Sequence, residues 1–217
     1  MTPRFYNIKD FRSETIDLSR PAFESATVTF DSAEGRQVQY DVFLSHSLKD
    51  ATLIRQIKQR LERDHNVSVY VDWEEDGGTS RDQIADKVKA AMEISTSLLV
   101  VKTENSDSSS WVAWETGYFD RKSSERIGVL LIEDEDAGFT HETFKHQEYL
   151  KNYELLSESD IIPFVQNGMS GVHEYRASVA DAAFRENNVG LTTTGSLGIH
   201  DSGSSSSTKF FGVGENS

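Results

Sequence analysis

Apolar segments of two kinds alternate along the middle of this chain, and that alternation restricts the fold more than any other feature. Tyr40-Asp41-Val42-Phe43-Leu44-Ser45 is short and mostly apolar, as a buried strand must be. Leu48, Ala51, Ile54, Ile57 and Leu61 then recur every three or four residues, which places them on one face of a helix running to Arg63. Val67 to Val71 is β-branched and aromatic, the composition of a second strand. Ile84, Val88, Ala91 and Met92 mark another helix, Leu98 to Val101 a third strand, and Ile127 to Ile132 a fourth. Strands and helices in this rhythm need crossover connections. The spacing therefore predicts an α/β domain with a parallel central sheet of about five strands and helices on both faces.

The flanks are less regular. Residues 1–37 have no sustained period, although Ala26 to Phe30 alternates as a short strand would before Gly35 breaks the pattern. They read as an N-terminal extension packed on a domain spanning 38–187. Ile161-Ile162-Pro163-Phe164-Val165 predicts the fifth strand, its proline suiting a sheet edge. Phe139 to Leu150 predicts a short helix, and Val172, Tyr175, Val179, Ala183 and Phe184 outline a last one. Residues 188–217 are rich in serine and glycine and are expected to form a flexible tail, with Phe210-Phe211 its one apolar pair.

Composition removes whole classes of function. A net charge of -14 repels phosphate backbones and argues against general nucleic-acid binding. With no cysteine there is no disulfide, thiolate metal site or cysteine nucleophile. No apolar run approaches the roughly 20 residues of a membrane span, and Met1 to Phe5 lacks the apolar core of a signal peptide. A soluble cytoplasmic protein, not bound to a membrane, is the expectation.

Two short motifs lead nowhere, and a third, which supports no triad, leaves a ligand contact by Ser45 or His46 as open as a purely structural role. The histidines of His141-Glu142-Thr143-Phe144-Lys145-His146 are five apart, so a helix would turn them about 140° from each other and no zinc site is expected. Gly77-Gly78 is not followed by the Lys-Ser/Thr of a phosphate loop, and the polar stretch Asp72 to Ser80 reads as a mobile loop. Ser45-His46-Ser47 lies at a strand's C-terminal end, where open α/β sheets bind ligands, but sequence neighbours rarely make a triad.

The serines at 108–110 supply an N-cap for a helix carrying Trp111 and Glu115 one turn apart. An aromatic plane beside a carboxylate can hold a flat cationic ligand. A core tryptophan followed by a solvated glutamate would leave the same pattern. Trp114 reads as packing.

Tyr40-Asp41-Val42-Phe43-Leu44-Ser45-His46, Asp50 in the following turn, Val69-Tyr70-Val71-Asp72 and Trp111-x-x-x-Glu115 together resemble a bacterial TIR (Toll/interleukin-1 receptor) domain. The resemblance spans about residues 38–187. It implies a flavodoxin-like fold and NAD+ glycohydrolase or ADP-ribosyl cyclase activity on the nicotinamide–ribose bond. Glu115 would be the catalytic group, with Phe43, Ser45, His46, Trp73 and Trp111 as residues that contact the dinucleotide. NAD+ would be the substrate, with neither a metal nor a resident cofactor. It further implies self-association through the Asp72–Ser80 loop, and a separate effector protein that receives the nucleotide product in anti-phage defence of the Thoeris type. A non-catalytic module that pairs with other TIR domains, a secreted effector directed at host NAD+, and a nucleoside deoxyribosyltransferase-like enzyme are the alternatives. Two departures stand out: Asp72 to Ser80 lacks the proline-glycine of receptor TIR domains, and Thr103 to Ser110 has no aromatic residue.

Overall fold

Successive residues of a strand face opposite sides of the sheet, and in this chain both sides are apolar. In the strand Tyr40–Ser45, Val42 and Leu44 face one way and Phe43 the other, and all three are fully buried. Such a strand needs a cover on each face, which helices provide. The computed structural model describes residues 4–12, 30–31, 36–37, 39–72, 81–144 and 148–188. Along the chain these form β1 (Tyr6–Asn7), α1 (Ile8–Arg12), β2 (Phe30–Asp31), β3 (Arg36–Gln37), β4 (Tyr40–Ser45), α2 (Ala51–His65) and β5 (Val69–Val71). Then follow α3 (Arg81–Glu93), β6 (Ser95–Lys102), α4 (Ser110–Asp120), β7 (Ile127–Glu133), β8 (Leu155–Leu156) and α5 (Ile161–Asn188).

The central sheet runs β5-β4-β6-β7, with every pairing parallel. From β4 the chain steps outward to β5, then crosses back to place β6 on the other side of β4. That reversal opens a crevice at the C-terminal ends of β4 and β6, where doubly wound sheets bind ligands. The outer edge of β7 is shared: β8 pairs with Val129 and Leu130, and β1 pairs with Ile132 and Glu133. β2 and β3 form a separate antiparallel pair.

Two cores lie on the two faces. On one, Ile54, Ile57 and Leu61 of α2 and Ile161, Phe164 and Val172 of α5 meet Val42, Leu44, Leu99 and Leu130. Tyr6 and Phe11 from the N-terminal segment join this core. On the other, Val88 and Met92 of α3 and Val112 and Phe119 of α4 meet Phe43, Leu98, Val100 and Val129. The helix α2 ends where Asn66 takes a left-handed conformation, φ 52° and ψ 41°, which asparagine tolerates better than most residues.

Ile161–Val165 corrects the sequence reading. It is the start of α5 and not a strand; the last strand on the β7 edge is Leu155–Leu156. Ser157 and Asp160 close a capping box around the turn Glu158–Asp160, which runs directly into the helix. Pro163 falls in the first turn of α5, where its missing N–H leaves no bond unmade. Ile161, Phe164 and Val165 are then buried at i, i+3 and i+4. A five-residue apolar run is ambiguous between the two periods, and the cap upstream decides it. The helix expected within Phe139–Leu150 is a single turn at Glu148–Leu150, residues 145–147 lying outside the described residues. Of Ala26 to Phe30, only Phe30 is described; the tail from 189 and the loop 73–80 also lie outside the described residues.

Glycine is required at 168. It has φ 69° inside α5, and a Cβ there would sit 2.6 Å from the Glu125 carbonyl oxygen.

Candidate active site

A cavity of about 210 Å³ occupies the reversal point of the sheet. Three chain segments wall it. The loop after β4 supplies His46 to Lys49, the residue after β5 supplies Asp72, and the start of α4 supplies Ser109, Trp111 and Glu115. The helix α4 begins here because the Ser109 hydroxyl accepts from the Val112 N–H at 3.4 Å, filling one of the unpaired donors of the first turn. Starting the helix at this point puts Trp111 and Glu115 one turn apart on the cavity side.

Glu115 is buried at 2 % exposure, and the Ser45 hydroxyl at the end of β4 donates a short hydrogen bond to its Oε2. Burial pushes the carboxyl up to about 8, because a charge is poorly solvated there. The Ser45 hydroxyl and the Trp111 indole N–H oppose that rise, and the negative charge of Asp72 adds to it. The Trp111 N–H is near the carboxyl but does not reach hydrogen-bond geometry: Nε1 is buried without a partner. The Trp111 ring is braced by Trp114, with centroids 4.8 Å apart.

His46 is buried at the cavity wall, and its Nδ1 lies 3.2 Å from the Leu44 carbonyl oxygen. A carbonyl only accepts, so Nδ1 carries the proton and Nε2 bears the lone pair of the neutral ring. Burial also lowers the imidazole pKa, with the Leu44 carbonyl and Asp50 opposing, which keeps the ring neutral near pH 7.

Asp50 holds the two loops of the site together. Its Oδ2 accepts from Thr103 Oγ1 at 2.6 Å and its Oδ1 from Asn105 Nδ2 at 2.8 Å. Thr103 in turn caps the turn Glu104–Ser108 that leads into α4. The loop carrying His46 and the turn that leads into α4 are therefore clasped across the crevice by the side chain of Asp50.

Of the residues expected in the site, Glu115, Ser45, His46 and Trp111 come together here. Phe43 does not line the cavity; it is fully buried in the core and stacks on Tyr70 at 5.3 Å. Trp73 lies outside the described residues. Sequence reasoning assigned no cavity role to Asp72, Leu48 or Lys49. Their positions directly after β5 and β4 were the available signal, since that end of an open α/β sheet gathers ligand contacts. Among the described residues no group of three or more His, Asp or Glu side chains could hold a metal ion.

The sequence profile of the TIR domain matches residues 42–158, more than half of the chain and all of the cavity-lining residues. The chain belongs to the TIR domain family. It is 34% identical over 131 residues to a Bacillus cereus (strain MSX-D12) protein provisionally named 3′ cyclic ADP-D-ribose synthase ThsB′. It is 32% identical over 104 residues to a Cytobacillus dafuensis protein provisionally named cyclic ADP-D-ribose synthase TIR2. These matches cover 58% and 46% of this chain, and 65% and 27% of the respective relatives, so the chain spans less than two thirds of either relative's length.

As a TIR domain the chain has the flavodoxin-like strand order, its first strand, β4, lying between the second, β5, and the third, β6. The N-terminal strand β1 lies outside the matched range and still completes the edge of the TIR sheet. No helix of the described residues is long and apolar enough to cross a membrane.

Proposed function

We propose that this TIR domain cleaves the nicotinamide–ribose bond of NAD+ and closes the product into a cyclic ADP-ribose. One observation carries the reading: a buried glutamate, hydrogen-bonded by Ser45, facing a cavity at the switch point of the sheet beside Trp111. The names of the two relatives support the same reaction class.

The chemistry fits a single carboxyl. Nicotinamide leaves a cationic pyridinium as a neutral base, so no strong general acid is needed. The demanding species is the ribosyl cation, and a carboxylate in a water-poor cleft stabilises it. In the empty site Glu115 keeps its proton near neutral pH, because burial raises it to about 8. A pyridinium held nearby favours the ionised form, so substrate binding expels that proton. Trp111 walls the ring, and the remainder of the dinucleotide runs out past Leu48 and Lys49 at the cavity's exposed side. When a hydroxyl of the same molecule or of water captures the cation, it releases a proton that Glu115 can accept. Nicotinamide and cyclic ADP-ribose, or ADP-ribose, are the balanced products.

In a bacterial cell such a product would act as a diffusible signal for a separate effector, as in anti-phage defence, and self-association through residues 72–80 would raise the activity. Replacing Glu115 by Ala or Gln is expected to lower nicotinamide release about a thousandfold or more, which corresponds to roughly 4 kcal/mol of transition-state stabilisation. Circular dichroism should be unchanged. Near-wild-type turnover would overturn the assignment, and mass spectrometry of the product separates cyclic from linear ADP-ribose.

A further inference from the structure

The indole N–H of Trp111 is a donor without an acceptor. It is buried in the wall of the cavity, and among the described residues nothing accepts from it. Leaving a buried donor unmade is unfavourable, and native structures retain such groups where a function uses them. Its surroundings say what that use is. Glu115 follows one turn later on the same helix, and helical side chains lean toward the N-terminus, so the carboxyl reaches back over Trp111. Ser45 already donates to that carboxyl from β4, on the other side.

Building on the NAD+ reading above, we propose that the Trp111 indole N–H is the second donor to Glu115, a bond completed when the carboxyl ionises as the cationic ring enters. Trp111 is then a positioning residue acting through Glu115, in addition to walling the ring. In the empty site the carboxyl carries its own proton and accepts from Ser45 alone among the described side chains. Once the proton leaves, a desolvated carboxylate needs more than one donor, and the indole N–H beside it has no other acceptor among the described residues. Hydrogen bonds of this kind are long in empty sites and tighten in the complex. The bracing of Trp111 by Trp114 keeps the ring in place to make it. Among the described residues, the other titratable groups near the carboxyl supply no compensating positive charge. Asp72 repels the carboxylate, and Tyr70 and His46, both held uncharged by burial, bring no positive charge to it. Lys49, on the cavity lining, is exposed to solvent.

The test removes the N–H and keeps the ring. Trp111→Phe retains an aromatic wall, and replacement of Trp111 by 3-benzothienylalanine retains the full bicyclic shape, which covers the case in which the phenylalanine variant fails to fold. The Glu115 carboxyl is followed by carbon NMR with labelled glutamate, identified by its loss in Glu115→Gln, alongside the pH dependence of kcat. The expected result is a Glu115 titration moved to higher pH by about one unit. At pH 7 kcat should fall about tenfold and recover as pH rises, with KM for NAD+ changed less than about threefold. An unchanged titration with a rise in KM alone would overturn the proposal and leave Trp111 as a wall. The titration is read without turnover. A shifted titration in a protein that releases no nicotinamide would therefore uphold the donor and refute the NAD+ reading.

Discussion

Glu115 prefers its proton in the folded chain, and this preference acts on stability as well as on chemistry. An ordinary glutamate ionises near 4.5, whereas this one is held up to about 8, chiefly by burial. Below about pH 4.5 the residue is neutral in both folded and unfolded chains and has no effect. Between pH 4.5 and 8 the unfolded chain loses the proton while the folded chain keeps it, so stability falls as pH rises, and it levels off above 8. At pH 7 the loss is on the order of 3 kcal/mol. Glu115→Gln cannot ionise and escapes it. The Tm of that variant relative to the wild type is expected to climb by roughly 5–10 °C between pH 5 and pH 8 in a calorimetric series. A difference independent of pH would show that the carboxyl is ionised in the folded chain throughout. The same glutamate was legible in the sequence only as one of two readings, because an acid one turn from a tryptophan has the same spacing whether it faces solvent or a cleft. What separates them is the strand end opposite, where Ser45 makes its bond.

At the scale of elements, the site is two loops held at a fixed distance. Asp50 accepts from Thr103 and Asn105 at once, so the loop after β4 cannot move from the turn before α4 without breaking both bonds. Asp50→Ala leaves two donors near the cleft unsatisfied. It is expected to lower kcat/KM by about 10- to 100-fold, with a stability loss of about 1–3 kcal/mol in urea unfolding. Asp50→Asn keeps an acceptor for Asn105 and an amide donor for the Thr103 hydroxyl, so it should recover most of the activity. Equal losses in the two variants would make the negative charge, and not the clasp, the reason for the residue. The elements themselves were largely legible. Tyr40–Ser45 is apolar on both faces because the strand is buried on both, and the α2 stripe of Ile54, Ile57 and Leu61 is buried as its period requires. Ile161–Val165 was not, since the signal that makes it helical lies in the Ser157–Asp160 cap before it. Phe43 shares its face of β4 with Ser45, as the motif suggests, but it lies two residues before the strand's end and is buried in the core beneath the cavity. The clasp by Asp50 pairs residues more than 50 positions apart, and no local pattern encodes that.

The whole molecule includes its N-terminal segment. Tyr6 and Phe11 are buried at 2 % and 1 % exposure in the core shared by α2 and α5. Arg60 of α2 lies over both rings, 5.2 and 5.4 Å from their centroids, and Gln56 donates to the Phe11 carbonyl at 2.8 Å. Phe11→Ala should therefore cost about 3–5 kcal/mol and lower Tm by roughly 6–15 °C. Nicotinamide release at low temperature should stay close to wild type, because this core lies on the face of the sheet opposite the one that packs Trp111. A thermal midpoint within about 2 °C of wild type would mean that the segment is only loosely attached.

The shared edge of β7 gives the sheet a direction. β8 and β1 occupy consecutive stretches of that border, two residues each, so the hydrogen-bonding groups there are broken into two short pieces. Among the described residues the opposite border, the three-residue β5, pairs only with β4. Two copies meeting at β5 would be related by a two-fold axis, and each would cover the other's edge there. Borders this short and interrupted offer a further chain little to pair with, so the layout disfavours the open-ended strand addition that long, flat borders invite.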